Sequence, residues 1–288
     1  VYNSQINTSY LKSSSNPKIV NKINAPKLNF DPLGIKVQKE LKTNLEKLNK
    51  TIFGINKFRD GQYEIISSTL SSQTVLGLMP TGGGKSLCFQ SIGCIDTGCT
   101  IVVCPITALI RDHVIELKQF GMGERSEYIS AERQTAERDF VFNKLQNGLL
   151  KFLFVSPEQF QKADFRQRLA TLTKQKIISR IVIDEVHCIS EWGHDFRTAY
   201  LNLAYTLKKY SPETPILCLT ATAAVKVIED IQIEFNIDNE NIIYSMDQSR
   251  DELNFKVIKS INKLDVLTKI LKEKYSDNNI NKENAFII

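Results

Sequence analysis

Between Met79 and Gln90 the chain reads MPTGGGKSLCFQ. Gly82, Gly83 and Gly84 carry no Cβ to obstruct an anion, so their N–H groups can turn inward around phosphate oxygens. Lys85 supplies a charge to neutralise the outer phosphates of a triphosphate, and the Ser86 hydroxyl suits Mg2+. A glycine run also makes an ordinary turn, because glycine reaches positive φ without steric cost; the Lys-Ser pair that follows favours the phosphate reading. The strict spacing wants glycine at position 79, where this chain has Met, so a second motif is needed. RIVIDEVH, Arg180 to His187, provides one. Two acids after an apolar strand can be plain strand-end charges. Beside a phosphate loop their roles separate: Asp184 anchors Mg2+ through its water shell, and Glu185 activates or orients the water that attacks the γ-phosphate.

Such groups need elements to hold them. TVLGLM supplies a strand before the glycines, and Lys85 opens a helix in which Leu87 and Phe89 are candidate packing residues. The start of that helix adds roughly half a positive charge to the loop. From Thr74 onward TVLGLM, TIVVCP, KFLFVSP, RIVIDE and PILCLTAT alternate with helical patterns. This is the grammar of a parallel sheet buried on both faces, with ligands at the carboxyl ends of its strands. Upstream, Val37, Leu41, Leu45 and Leu48 recur at helical spacing and predict a packing face. Residues 1 to about 35 are rich in Asn, Ser, Lys and Pro without an apolar period, and predict an arm with little core of its own.

The 288 residues, 42% of them hydrophobic, are enough for one large domain plus extras. A formal charge of +5 permits a polyanionic partner without predicting one. The six cysteines form no Cys-x-x-Cys pair and mostly fall inside apolar runs, which predicts buried, reduced thiols and no zinc site. No run approaches the ~20 apolar residues of a membrane span, and no apolar signal core stands at the N-terminus, so a soluble, non-secreted protein without a membrane partner is expected.

MPTGGGKS, DEVHCISEWGHDFR and LTATA, in that order, resemble RecQ-type DNA helicases of superfamily 2 from about residue 53 to the C-terminal end. The resemblance implies an α/β fold, a RecA-like P-loop NTPase domain with a mostly parallel sheet flanked by helices. It implies an N-terminal arm with a possible helix over 1–48, the first RecA-like domain over 49–257, and a linker with the opening of a second such domain over 258–288. It carries ATP and Mg2+ to Thr81, Gly82, Gly83, Gly84, Lys85 and Ser86, with Asp184 as the other Mg2+ residue, and catalysis to Lys85, Asp184, Glu185 and His187. FGINKFRDGQ looks like the adenine-recognition motif, with Gln62 reading the base edge and Arg59 packed on the base; Ile55 stands where some members have an aromatic. An amide suits adenine because it donates and accepts at once. LTATA looks like the motif coupling hydrolysis to movement, with Thr220 and Thr222 near the Asp184–His187 segment; a helix cap is the plainer reading of those threonines. VVCPITALIRDHV and VSPEQF resemble strand-contacting motifs, with Ala108 and His113 where Ser and Gln are common.

HCISEWGHDFRTAY holds the only Trp and two of the three His. It could be an aromatic packing loop. A metal site from His187, Cys188 and His194 lacks a second Cys/His group. Interleaved Trp192, His194, Phe196 and Arg197 suit stacking on unpaired bases and gripping phosphates, and the resemblance makes this the aromatic-rich loop that links DNA contact to ATP turnover, with Glu191 in place of the usual Gln. DELNFKVI resembles the linker out of the first domain and NAFII the first strand of the next. Implied partners are single-stranded and branched DNA and the second RecA-like domain. The completing arginine, the zinc subdomain and the winged helix are expected beyond residue 288. The family implies 3′ to 5′ unwinding in recombination and repair, in the nucleus of a eukaryote or the cytoplasm otherwise. An RNA helicase shares the phosphate loop and acidic motif, but SEWGHDFR argues against it; a non-motor ATP switch or scaffold is the alternative from another class.

Overall fold

The computed structural model describes residues 32–71, 74–190, 197–221, 224–245, 258–259 and 261–275. Its centre is a seven-stranded sheet of β1 (Thr74–Leu78), β2 (Cys99–Val103), β3 (Ser126–Ile129), β4 (Phe152–Val155), β5 (Ile178–Ile183), β6 (Ile216–Thr220) and β7 (Ile242–Tyr244). The order is β3-β4-β2-β5-β6-β1-β7, and every pair is parallel. Parallel strands need helical crossovers. These include α3 (Lys85–Ile95) between β1 and β2, α4 (Thr107–Gln119) before β3, α5 (Thr135–Gln146) and α6 (Ala163–Lys174). The short α7 (Thr198–Leu201) and α8 (Leu203–Tyr210) lead to β6, and α9 (Val225–Phe235) to β7. α1 (Pro32–Phe53) and α2 (Gln62–Ser71) precede the sheet.

Period-two alternation divides the central strands between two cores. Leu76, Ile101, Val103, Ile181 and Cys218 join one apolar cluster, while Val75, Val102, Val182 and Leu217 join the other. Burial on both faces explains why these strands read as continuous apolar runs. α1 covers part of the second cluster: Leu45 and Phe53 are buried, Leu41 and Leu48 are partly so, and Ser91 Oγ on α3 donates to Asn49 Oδ1 at 2.7 Å. The arm at 1–31 and the side chain of Val37 lie outside the described residues. Arg180, on a buried strand, is satisfied by Asp96 at 2.8 Å and by the Thr69 carbonyl at 2.9 Å, so β5 is tied to the ends of α2 and α3. All six cysteines are free, and all but Cys94 are buried.

α3 lies so close to the sheet that a Cβ on Gly93 would stand 2.3 Å from Phe152 Cε1. Gly93→Ala is therefore expected to lower the melting temperature, because overpacking costs ~1–3 kcal/mol and exceeds the gain in helix propensity of up to about 1 kcal/mol. A thermal melt decides it; an unchanged or raised midpoint would mean that the helix can shift away.

The chain divides into two compact units, Val1–Gln248 and Ser249–Ile288. In the second, α10 (Lys263–Tyr275) begins at a cap in which Asn262 Oδ1 accepts from the Leu264 N–H at 3.2 Å. No described helix is long and apolar enough to cross a membrane.

Candidate active site

The sheet ladder continues past β1: the Met79 N–H donates to the Thr220 carbonyl at 3.0 Å, and the Ser245 N–H to the Leu78 carbonyl at 2.9 Å. The chain then turns through the glycines into α3. Gly82 and Gly84 take φ of 78° and 83°, which only glycine adopts cheaply. A Cβ on Gly83 would stand 2.9 Å from the Pro80 oxygen, and one on Gly84 2.5 Å from Gln62 Nε2. Gly84 is the N-cap of α3 and no side chain caps the helix, so the helix start opens on the loop, with the Leu87 N–H satisfied by the Gly84 carbonyl at 3.1 Å. Thr81 is exposed at the loop tip, and Ser86 is half-buried in the first turn.

Gln62 is buried, and its amide nitrogen donates to the Gly83 and Gly84 carbonyls at 3.2 and 3.0 Å while its oxygen accepts from the Arg59 N–H at 2.8 Å. The Arg59 guanidinium donates to the Gly82 carbonyl. Both residues expected at the adenine base thus grip the phosphate loop by its carbonyls, while the Gly83 N–H closes a turn onto the Pro80 carbonyl at 2.9 Å. Ile55 is partly buried against the apolar cluster beneath α1.

Asp184 and Glu185 follow β5. The Asp184 N–H donates to the Val103 carbonyl at 2.9 Å, and Asp184 Oδ1 accepts from the Glu185 N–H at 3.0 Å. Glu185 sits at φ 49°, ψ 47°, a left-handed conformation that costs a non-glycine residue ~1–3 kcal/mol. That turn aims its carboxylate at Lys85, with Nζ to Oε1 at 3.6 Å, and places Oε2 3.3 Å from His187 Nδ1. His187 Nδ1 also lies 2.8 Å from Thr220 Oγ1. A line of contacts Lys85, Glu185, His187, Thr220 therefore crosses the carboxyl ends of β1, β5 and β6.

Charge follows from these contacts. Burial pushes the Glu185 carboxyl up, but His187 and Lys85 outweigh it and hold it below the usual range, so it is ionised at neutral pH. The Cys188 sulfur and the Glu185 carboxylate raise His187 to about 9 against partial burial, and as an imidazolium it donates to Thr220 Oγ1. Glu185 Oε2 is buried and faces the His187 imidazolium, which leaves the carboxylate ionised and fixed in orientation, as a base for water must be. The donor set fits its expected guests: loop N–H groups and Lys85 for phosphate, the Ser86 hydroxyl and Asp184 carboxylate for the hard, oxygen-seeking Mg2+.

Arg197 donates from its guanidinium to the Pro105 carbonyl at 2.9 Å and from its backbone to the Cys188 carbonyl at 3.0 Å, so it ties the start of α7 to the turn after β2. Trp192, His194, Phe196 and Thr222 lie outside the described residues. Two contacts to Asp184 escape sequence reasoning. Tyr200 Oη donates to its carbonyl at 3.1 Å, and His113 Nε2 on α4 stands 3.8 Å from its Oδ2. Tyr200 ends the quoted aromatic segment, and His113 stands out only as an unusual residue in a strand-contacting motif.

The chain matches the DEAD/DEAH box helicases over residues 59–231, a stretch that holds the phosphate loop, the acidic turn and Thr220. It belongs to that family. This helicase domain is 38% identical over 238 residues to the ATP-dependent DNA helicase Q-like 4B of Arabidopsis thaliana, covering 81% of this chain and 20% of that protein. It is 37% identical over 212 residues to the ATP-dependent DNA helicase RecQ of Bacillus subtilis, 73% of this chain and 35% of that one. It is 36% identical over 209 residues to the RecQ-like DNA helicase BLM of Xenopus laevis, 72% and 15% respectively. The helicase domain thus spans a minor part of each relative. Among solved structures, a DUF1998 helicase MrfA bound to DNA and AMPPNP shares the fold at a TM-score of 0.55 and 19% identity, over 71% of this chain and 29% of that one. The expected RecA-like architecture is present, and its sheet is parallel throughout the described residues.

Proposed function

We propose that this domain is the ATP-binding N-terminal half of a RecQ-type DNA helicase motor, which hydrolyses ATP to move 3′ to 5′ along DNA and unwind it. The observation that carries the proposal is the line from Lys85 through Glu185 and His187 to Thr220, which joins a phosphate loop to a second loop across the carboxyl ends of the strands. The loop N–H groups and Lys85 hold the triphosphate. Ser86 and Asp184 would hold Mg2+, which when bound neutralises phosphate oxygens. Glu185, ionised and aimed by its left-handed turn, accepts the proton of the attacking water. His187 reports the state of that carboxylate to Thr220, whose carbonyl is bonded to Met79 at the start of the phosphate loop. The similarity to RecQ proteins supports DNA as the track, recombination and repair as the setting, and a second RecA-like domain as the partner that completes the site. It also supports a nuclear or cytoplasmic location.

The test is steady-state ATPase of the full-length protein with single-stranded DNA, branched DNA or RNA added, together with strand unwinding. Stimulation by DNA over RNA and unwinding are expected. RNA as the better activator would make it an RNA helicase, and ATP binding without either response would make it a switch.

A further inference from the structure

The end of the acidic strand carries a second cluster, in which Asp184 is joined by two residues that the ATPase reading does not use. Cys104 Sγ, a nitrogen of His113 and a carboxylate oxygen of Asp184 all lie within 4.8 Å of one another. The placement is built into the fold. Val103 pairs with Ile183, so the next residues of the two parallel strands, Cys104 and Asp184, stand side by side. Backbone bonds fix both: Cys104 N–H to the Val155 carbonyl at 3.1 Å and Asp184 N–H to the Val103 carbonyl at 2.9 Å. α4 brings His113 over them, on the face that also buries Ile110 and Leu117. Its ring is locked, stacked on Phe154 at 5.5 Å and edge-on to Phe89 at 5.5 Å.

The far side of the imidazole supplies an independent pointer to a metal. His113 Nδ1 faces Glu116 Oε2 at 3.8 Å, and Gln90 Nε2 anchors that same oxygen at 2.9 Å. A carboxylate behind a histidine, itself held by a further hydrogen bond, is the arrangement that orients metal-bound imidazoles and raises their basicity. Thiolate, imidazole and carboxylate together select zinc-like ions over Mg2+, which takes oxygen ligands. Tetrahedral bonds of about 2.0–2.3 Å put ligand atoms roughly 3.5 Å apart, and His113 Nε2 is already 3.8 Å from Asp184 Oδ2.

We propose that Cys104, His113 and Asp184 form a site for a soft divalent ion of the zinc type, and that filling it excludes Mg2+·nucleotide from the Asp184 carboxylate. Bonds form to Cys104 Sγ, His113 Nε2 and one Asp184 oxygen, with water in the fourth position. The thiol and imidazolium protons pass to solvent, and no electron is transferred. His113 and Asp184, with 13% and 10% of their side chains exposed, give the entry path. The exclusion rests on Asp184 being the Mg2+ carboxylate; the site itself does not. Spacing alone conceals it, because its ligands come from two strands and a helix and form no paired motif.

Co2+ alone, titrated into the 288-residue chain, tests the proposal. One equivalent is expected to produce a thiolate-to-cobalt charge-transfer band and intense tetrahedral ligand-field bands, which Zn2+ abolishes. Cys104→Ser should remove the charge-transfer band, His113→Gln should weaken binding at least 100-fold, and Glu116→Gln should weaken it ~10–100-fold. Cys188→Ser should leave the spectrum unchanged, although its sulfur lies 3.9 Å from His187 Nε2. Circular dichroism checks folding, and if Cys104→Ser does not fold, the histidine and glutamate variants carry the test. No charge-transfer band, or one that survives Cys104→Ser, overturns the site. Mg2+·AMPPNP should displace the cobalt. A spectrum that persists with the nucleotide bound would leave the three ligands standing and remove Asp184 from the Mg2+ role.

Discussion

Lys85→Ala should raise the Kd for ATP on the order of 10²- to 10³-fold, and hydrolysis by the full-length protein should fall below detection. The Lys85 ammonium is nearly buried, with 13% of its side chain exposed, and with the His187 imidazolium it faces the Glu185 carboxylate. Removing one partner of a desolvated charge pair costs ~2–5 kcal/mol, and each ~1.4 kcal/mol is a factor of ten. The glycine loop and the α3 N-terminus still attract an anion, so some affinity remains, but the γ-phosphate loses its counter-charge. Isothermal titration and an ATPase assay read the two effects. Normal turnover in the variant would remove the phosphate-loop assignment.

Glu185→Gln is expected to do the opposite to binding. The amide preserves the shape of the side chain and relieves the negative charge beside the phosphates, so Mg2+·ATP should bind as tightly or more so. Turnover should drop ~10²- to 10⁴-fold, the range of a lost general base. His187 then loses the carboxylate contact that helps to hold it near 9, so its pKa should move down toward the ordinary range. The imidazole proton NMR signal reports that directly. Equal loss of binding and turnover would give Glu185 a structural role instead.

Five of the seven strands are legible in the chain because each is buried on both faces and so reads as an unbroken apolar run. β3 and β7 are not, because they form the two edges of the sheet. SEYI is interrupted by polar residues and IIY is only three residues long, and an edge strand has only one neighbour to select its residues. Within the site, Lys85, Asp184 and Glu185 follow from residue type and spacing. The role of Gln62 does not, since any rotamer of an amide satisfies the motif and only the folded loop shows which carbonyls it meets. His113 is visible only as a departure from a strand-contacting motif, and its place on the buried face with Ile110 and Leu117 is seen only in the fold. Its partner is the Asp184 carboxylate, brought there by a crossover that no local pattern encodes.

The backbone at Glu185 sets the chemistry of this turn against the durability of the fold. A left-handed residue with a long, half-buried acidic side chain is a poor choice for holding a loop together. Asparagine tolerates that conformation far better, so Glu185→Asn should melt no lower than the parent and yet be inert. Any engineering campaign that ranks variants of this domain by heat resistance alone would therefore favour discarding the residue to which the proposed mechanism assigns turnover. Variants should be selected on retained hydrolysis alongside melting temperature.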